Sequence, residues 1–227
     1  MSELSDDPRD KLKAALNHGV YATFMAKPMA DQPGSAMHLH VSLVDTDGEN
    51  LFADKNGTDT DLFRWFVGGL QIYLPQIAPL FAPTVNSFRR MRPNDDAPIN
   101  VQWGSDNRSC GLRVPIDDAQ NRRIENRLPG ADANPYLAMA AALIAGWLGL
   151  EERREPMVRA EGNAYRHART LPKSLENAME RMSECHPVRA LLGERFLTAF
   201  SNIKQAELDH YQHVVSSWER DHLLLKA

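Results

Sequence analysis

Apolar residues recur along this chain at two different periods, and the change between them organises it. From residue 37 to 43 the period is two: Met37, Leu39, Val41 and Leu43 alternate with His38, His40 and Ser42, which predicts a strand with one packed face and one wet face. Residues 20–25 read as an earlier strand, preceded by a short helix over residues 10–19 that ends at Gly19. Asp45-Thr46-Asp47-Gly48 predicts a hairpin turn, with residues 50–53 returning as its partner strand. From about residue 59 to 73 the spacing becomes helical, through Leu62, Phe63, Phe66, Leu70 and Tyr73, and Pro75 bends or ends that helix. Residues 86–127 read mostly as short strands and loops. Asn134-Pro135 then gives a helix start, an N-cap followed by proline at the first helical position, and that helix runs to about residue 154. A polar loop over residues 155–172 leads to a helix of about 174–185 and a last helix of roughly 190–226. Leu208, Tyr211, Val214, Val215 and Trp218 are spaced for one face of that last helix, a face that needs a partner surface. No internal repeat is present. A strand- and loop-rich part (about 20–130) followed by a mainly helical part (about 134–227) predicts a single α+β unit rather than alternating βαβ units.

Composition narrows the function. The 227 residues are 43% apolar and 25% charged, with a formal net charge of −4, so there is no global attraction to nucleic acid or to an anionic membrane. The longest apolar run, residues 136–150, is shorter than the roughly 20 residues that a membrane span needs. Cys110 and Cys185 lie far apart without metal-ligand spacing and read as free thiols of a reducing compartment. The polar, acidic start, Met1 to Asp7, is neither a secretory signal nor a transit peptide, and the expected location is cytoplasmic.

Chemistry concentrates in two segments. In the first, Lys27-Pro28 and the Gly34-Ser35 turn lead into the His38 strand, and two imidazoles with a hydroxyl can hold a divalent metal and hydrogen-bond phosphate oxygens. A turn that exposes backbone N–H groups beside them suits an anion, so the run reads as part of a nucleotide site. The alternative is the ordinary polar face of a half-buried strand. In the second segment, eight arginines (89, 90, 92, 108, 113, 122, 123 and 127) stand without one lysine. Planar guanidinium groups are preferred where carboxylates or phosphates are gripped by two parallel hydrogen bonds, although a structural ion-pair network would also use them. Alternation puts Arg123, Glu125 and Arg127 on one face with Ile124 and Asn126 opposite. A glutamate so flanked is held ionised and could ligate Mg²⁺ or Mn²⁺; alternatively the three residues pair with each other. Arg108 and Arg113 add two cations about Gly111, and one anion-rich site would explain both arginine groups.

Four ordered motifs carry a resemblance: K-P-M-A-D-Q-P-G-S-A-M-H-L-H-V-S from Lys27, N-S-F-R-R-M-R-P-N-D-D-A-P from Asn86, N-R-S-C-G-L-R-V-P from Asn107 and R-R-I-E-N-R-L-P-G-A-D-A-N-P-Y-L-A from Arg122. Together they resemble the glutamine synthetases, over most of this chain but only over the later part of that family's catalytic domain. The versions seen here look most like the branch that joins glutamate to putrescine, other polyamines or other amines.

The resemblance implies the C-terminal portion of a glutamine synthetase-type catalytic domain, an antiparallel sheet packed with helices. It also implies a ligase that uses ATP to phosphorylate the glutamate γ-carboxylate and then amidates it with ammonia or an amine. Position by position, His38 and Glu125 would ligate the ATP-side Mg²⁺ or Mn²⁺, His40 and Ser42 would contact the nucleotide, and Arg123 would hold ATP phosphate. Arg108 and Arg113 would steady the transferring phosphoryl group, while Gly34, Arg90 and Arg127 would hold glutamate. Asp96 occupies the place of a flap glutamate that assists deprotonation of the incoming amine; its carboxylate reaches less far, and Asp95 competes for the role. Pro33 replaces an asparagine found beside the substrate in many members. The family's β-grasp domain, and the segment with the remaining metal-binding glutamates, are expected to lie outside this sequence, which would leave the active site incomplete in this chain alone. Ring-shaped self-association is implied for the intact family. A non-catalytic homologue that binds nucleotide or full-length subunits is the alternative.

Overall fold

The computed structural model describes residues 8–93 and 96–226. The acidic start, residues 1–7, lies outside them. In chain order the elements are α1 (Pro8–Asn17), β1 (Leu39–Val41), α2 (Asp61–Tyr73), α3 (Ser87–Arg90), β2 (Trp103–Ser105), β3 (Leu112–Val114), β4 (Ile124–Asn126), α4 (Pro135–Glu152), α5 (Leu175–Glu184), α6 (His186–Leu192), α7 (Glu194–Gln212) and α8 (Ser217–Leu223). The strands form one sheet in the order β1-β4-β3-β2. β4 pairs antiparallel with both β1 and β3, but β2 pairs parallel with β3, so the sheet is mixed rather than wholly antiparallel. After β2 the chain loops through Asp106 (φ 46°), whose N–H donates to Val114 O at 2.8 Å, and enters β3 in the same direction.

The alternation over residues 37–43 holds. Met37, Leu39, Val41 and Leu43 pack against the core, and His38, His40 and Ser42 face outward. On β4, Ile124 is fully buried in the core, while Glu125 faces the wet side of the sheet beside His40 and Arg113. Beneath the sheet an aromatic cluster joins it to α2. The Phe52 ring lies 5.4 Å from Phe63 and 5.3 Å from Phe66, and Phe63 lies 5.9 Å from Trp103, at edge-to-face or tilted angles that suit the ring quadrupoles.

α2 and α4 form the main helical contact, and both start as the sequence predicts. The Thr60 hydroxyl caps α2 by accepting from the Phe63 N–H at 3.2 Å. Asn134 Oδ1 caps α4 by accepting from Tyr136 N (3.0 Å) and Leu137 N (3.3 Å), ahead of Pro135. α4 stops at Arg153, which takes a left-handed conformation (φ 50°). The two helices cross on glycines: a Cβ built on Gly69 would lie 2.6 Å from the Gly149 Cα, and one built on Gly149 would lie 2.6 Å from the Gly69 Cα. Backbone meets backbone there, with no flexible side chain to give way.

Three expected elements differ. Residues 20–25 form no strand; Val20, Tyr21, Phe24 and Met25 are exposed, with no neighbouring strand for their alternating pattern to pair with. The 45–48 hairpin forms, with Leu51 N donating to Leu43 O at 2.8 Å, but its return is a single bridge, Val44 to Asn50, rather than a strand. The expected last helix is three helices. Gly193 at φ 84° separates α6 from α7, and β-branched Val214 and Val215 precede a Ser216–Glu219 capping box that restarts the chain as α8. The proposed continuous face is therefore interrupted, and of its five residues only Leu208 is buried. Cys110 and Cys185 are buried free thiols, as read. No helix among the described residues is long and apolar enough to cross a membrane.

Gly69→Ala and Gly149→Ala each reverse the usual helix preference for alanine. Each is expected to lower stability by about 1–3 kcal/mol through overpacking, read as a fall in the urea midpoint, whereas a rise of about 1 kcal/mol would signal an open crossing. Burial, aided by a 2.7 Å hydrogen bond to Glu152 Oε1, pushes the Tyr73 hydroxyl up to about 12. Its contribution to stability is complete below the unfolded value of about 10 and is lost as pH rises through the folded one. Wild type is therefore expected to lose more stability than Tyr73→Phe across that window, as measured by urea unfolding.

Candidate active site

Strand register assembles the site. β4 lies between β1 and β3, so His40, Glu125 and Arg113 stand in one row across three strands. His38 reaches the same carboxylate diagonally. Glu125 is 4% exposed; its Oε1 lies 2.9 Å from His38 Nδ1 and 3.7 Å from Arg127 Nε, and its Oε2 accepts from Arg113 Nη1 at 2.6 Å. Burial pushes the Glu125 carboxyl up, but the hydrogen bonds to His38 and Arg113 outweigh it and hold the group down at about 2. The carboxylate is thus ionised throughout the physiological range. Arg113 is gripped from its other side by Asp106, whose Oδ1 accepts from Nε at 3.0 Å and also from Nη2. Partial burial lowers the pKa of His40; Glu125 opposes that shift and Arg123 adds to it, so His40 favours the neutral imidazole that a metal or a phosphate hydroxyl can use.

A second group lies around Arg90. This guanidinium is 3% exposed, donates through Nη2 to Leu128 O, and is pushed down to about 10 by burial against the opposing charge of Asp132, so it stays cationic at neutral pH. Its Nε has no hydrogen-bond partner among the described residues, nor has the Nε of Arg127. A Cβ on Gly34 would lie 2.6 Å from Ala26 O and 2.9 Å from Arg90 Cδ, so only glycine fits against the aliphatic stem of that arginine. Arg127 is 5% exposed and ties two loops together, donating to Arg108 O and, at 3.1 Å, to Asp96 O. Two buried cations with spare donors are the arrangement that an anionic group would satisfy.

Other expected residues stand at the rim. Arg123 Nη1 donates at 2.8 Å to both Asp117 Oδ2 and Asn121 O. The Arg108 side chain is exposed and makes no hydrogen bond with a described residue; Ser42 is exposed just beyond β1. Asp96 is exposed with φ 55°, and Asp95 lies outside the described residues. Among the described residues, no group of three or more His, Cys, Asp or Glu gathers where a metal could sit; His38 and Glu125 are the converging pair.

The structure narrows two readings. The 34–35 turn does not offer its N–H groups freely, because Ser35 N donates to Ala26 O (2.8 Å) and Met37 N to Pro129 O (3.0 Å), while Lys27 Nζ donates to Gln32 O (2.6 Å). Nor does one site account for every arginine. Arg122 braces the fold by donating to Asp59 Oδ1 (2.8 Å) and Gly57 O (2.7 Å), and Arg89 donates to Tyr211 OH at 3.0 Å. Sequence reasoning missed Asp106 and Asp117, which hold Arg113 and Arg123, and Asp132, which accepts from Thr84 Oγ1 (2.9 Å) and Ser87 Oγ (2.6 Å) beside Arg90. The available signal was an acid a short loop ahead of an arginine, as Asp106 before Arg113 and Asp117 before Arg123, a pattern that reads equally as turn chemistry.

A row of paired ionic side chains on a mixed sheet, backed by a helical layer, matches one family. The model of the glutamine synthetase catalytic domain matches residues 12–223, and the chain belongs to that family. Among curated relatives, the γ-glutamylputrescine synthetase PuuA of Escherichia coli K12 is 37% identical over 215 residues, covering 94% of this chain and 45% of the relative. The γ-glutamylethanolamide synthetase GlnA4 of Streptomyces coelicolor is 38% identical over 206 residues (90% and 44%), and a glutamine synthetase of Thermococcus kodakarensis is 40% identical over 210 residues (88% and 46%). The chain spans about half the length of the curated relatives it matches. Among solved structures, apo GmaS without ligand superposes with a TM-score of 0.84 at 33% identity, over 95% of this chain and 51% of that one. A GmaS/ADP complex gives 0.85 at 32% identity, over 95% and 52%.

Glu125→Gln removes the charge that His38 and Arg113 share. It is expected to cost about 2 kcal/mol in urea unfolding, below the usual cost of breaking a buried pair because both partners are part-exposed and Arg113 keeps Asp106. An unchanged midpoint would show that the carboxylate is not the centre of the network.

Proposed function

We propose that this chain supplies the nucleotide and glutamate half of an ATP-dependent carboxylate–amine ligase site. The observation that carries the reading is the ionised, buried Glu125 with His38 on one oxygen and Arg113 on the other, next to two buried arginines whose Nε groups make no hydrogen bond with a described residue. The relatives' names, PuuA, GlnA4 and glutamine synthetase, and the ADP complex of GmaS support it.

In this reading Arg90, Arg127 and Gly34 hold the carboxylates of glutamate, since the two Nε groups are buried without a hydrogen bond and Gly34 packs directly on the Arg90 stem. Arg123, His40 and Ser42 line the nucleotide side. A carboxylate is a poor electrophile, so a γ-carboxylate oxygen attacks the γ-phosphorus of ATP, the bond to ADP breaks, and an acyl phosphate forms. Arg108 and Arg113 face the charge that builds on the equatorial oxygens. The amine nitrogen then attacks the acyl carbon, phosphate leaves with the C–O bond electrons, and Asp96 takes the amine proton. His38 and Glu125 fit one Mg²⁺ or Mn²⁺: an imidazole and an ionised carboxylate converge, and phosphate oxygens and water would fill the remaining positions. Such an ion would supply Lewis-acid charge to the phosphoryl oxygens. Ring assembly and a cytoplasmic location belong to the same proposal, as does the choice among ammonia, ethanolamine and polyamines.

The test is ADP binding by the full chain with Mg²⁺, run beside phosphate release from ATP with glutamate and ammonia, ethanolamine or putrescine. Saturable, Mg²⁺-dependent ADP binding that weakens about tenfold or more in Arg123→Ala, where a charge-assisted phosphate contact is lost, supports the reading. Absence of both binding and turnover overturns it. Binding without turnover is what half a site gives on its own; co-purification of the chain with a longer, catalytically complete subunit favours the non-catalytic alternative.

A further inference from the structure

Beside α3 two adjoining cavities of about 410 and 580 Å³ share Arg89, Arg92 and Tyr211, and neither contains Glu125, His38 or Arg90. The smaller is lined by four cations, Arg89, Arg92, Arg169 and Lys173, against one acid, Glu176. The larger adds Lys27 and Glu207, and Glu207 is already paired with Lys204 at 2.8 Å. Arg89 and Arg169 are held in place, the first by Tyr211 OH (3.0 Å) and the second by Met91 O (2.6 Å). The side chains of Arg92 and Lys173 make no hydrogen bond or ion pair with a described residue. The floor is apolar, formed by the buried side chains of Phe88, Met91, Leu175 and Leu208. Lys173 and Ser174 stand at the start of α5, where Ser174 Oγ takes the Asn177 N–H at 3.2 Å and the remaining first-turn N–H groups add to the positive field. Four cations line one cavity over an apolar floor against a single acid, an excess of positive charge that an anionic group would balance.

We propose that this cavity is a second ligand site, separate from the Glu125 centre, which takes a phosphate monoester with an apolar body. Arg92, Arg169 and Lys173 grip the dianionic phosphate, and Phe88, Leu175 and Leu208 receive the body. The volume of the smaller cavity suits a ring-sized group with one phosphate, within the usual range for small-molecule sites. The site does not depend on the ligase reading, since none of its residues takes part there.

The test is isothermal titration of the full chain with phenyl phosphate, inorganic phosphate and benzoate at low salt. Phenyl phosphate is expected to bind saturably at one site and about tenfold tighter than either control, because only it supplies both the dianion and the ring. Arg92→Gln/Lys173→Gln is expected to weaken it about tenfold or more, and Glu176→Gln, which removes the opposing charge, to tighten it. His38→Ala leaves it unchanged. No saturable binding, equal affinity in the Arg92→Gln/Lys173→Gln variant, or loss of binding in His38→Ala overturns the proposal. The opposite direction expected for Glu176→Gln separates a charge effect from general loss of fold.

Discussion

A carboxylate that is almost wholly removed from water survives as an anion only if donors surround it, and Glu125 is surrounded. β4 is the central partner of β1 and β3, so a single residue on it can be reached by a histidine from one neighbour and an arginine from the other. The same strand carries Arg127 two positions on, and that side chain ties the Arg108 loop to Asp96. Each of these placements follows from where β4 lies. Removing the charge would leave two cationic or polar groups facing a desolvated gap, a larger loss than any single hydrogen bond in the sheet.

The strands are three residues each, too short to hold their own register against solvent. Their position is fixed from below by the aromatic cluster and by the close crossing of α2 on α4. Rigidity at the site is therefore supplied by residues that touch no candidate ligand. Gly69 and Gly149 allow the helices to approach; Phe52, Phe63 and Trp103 carry that approach up to β2. On the wet side, Asp106 and Asp117 hold Arg113 and Arg123 in one geometry, so their guanidinium groups are already oriented.

Much of this arrangement was legible from period and cap chemistry. The 37–43 alternation placed His38 and His40 on the open face, and Asn134-Pro135 fixed the start of α4, because both signals act within a few residues. Expectations failed where the deciding contact is distant or the local signal is neutral. Residues 20–25 carry a strand-like pattern but meet no neighbour to pair with. The connection from β2 to the parallel β3 includes Asp106 in a left-handed conformation, which an aspartate tolerates but does not announce. The division of the last helix hangs on Gly193 and the Val214-Val215 pair, weak breakers that gain force only when the helices pack separately. The arginine segment showed the density of charge but not its partition: Arg113, Arg123 and Arg127 serve the Glu125 region, Arg122 braces Asp59, and Arg89 turns toward Tyr211.

The alternation on β4 has a bearing on how the length of this chain can vary. Ile124 lies in the core and Glu125 on the open face, so inserting or deleting one residue between Arg122 and Leu128 would exchange them, burying a carboxylate in the aromatic layer and exposing an isoleucine where the carboxylate belongs. The 155–172 segment, which contains no strand, carries no such two-residue phase. The span from Arg122 to Leu128 thereby behaves as a fixed-length ruler for the charges it sets side by side.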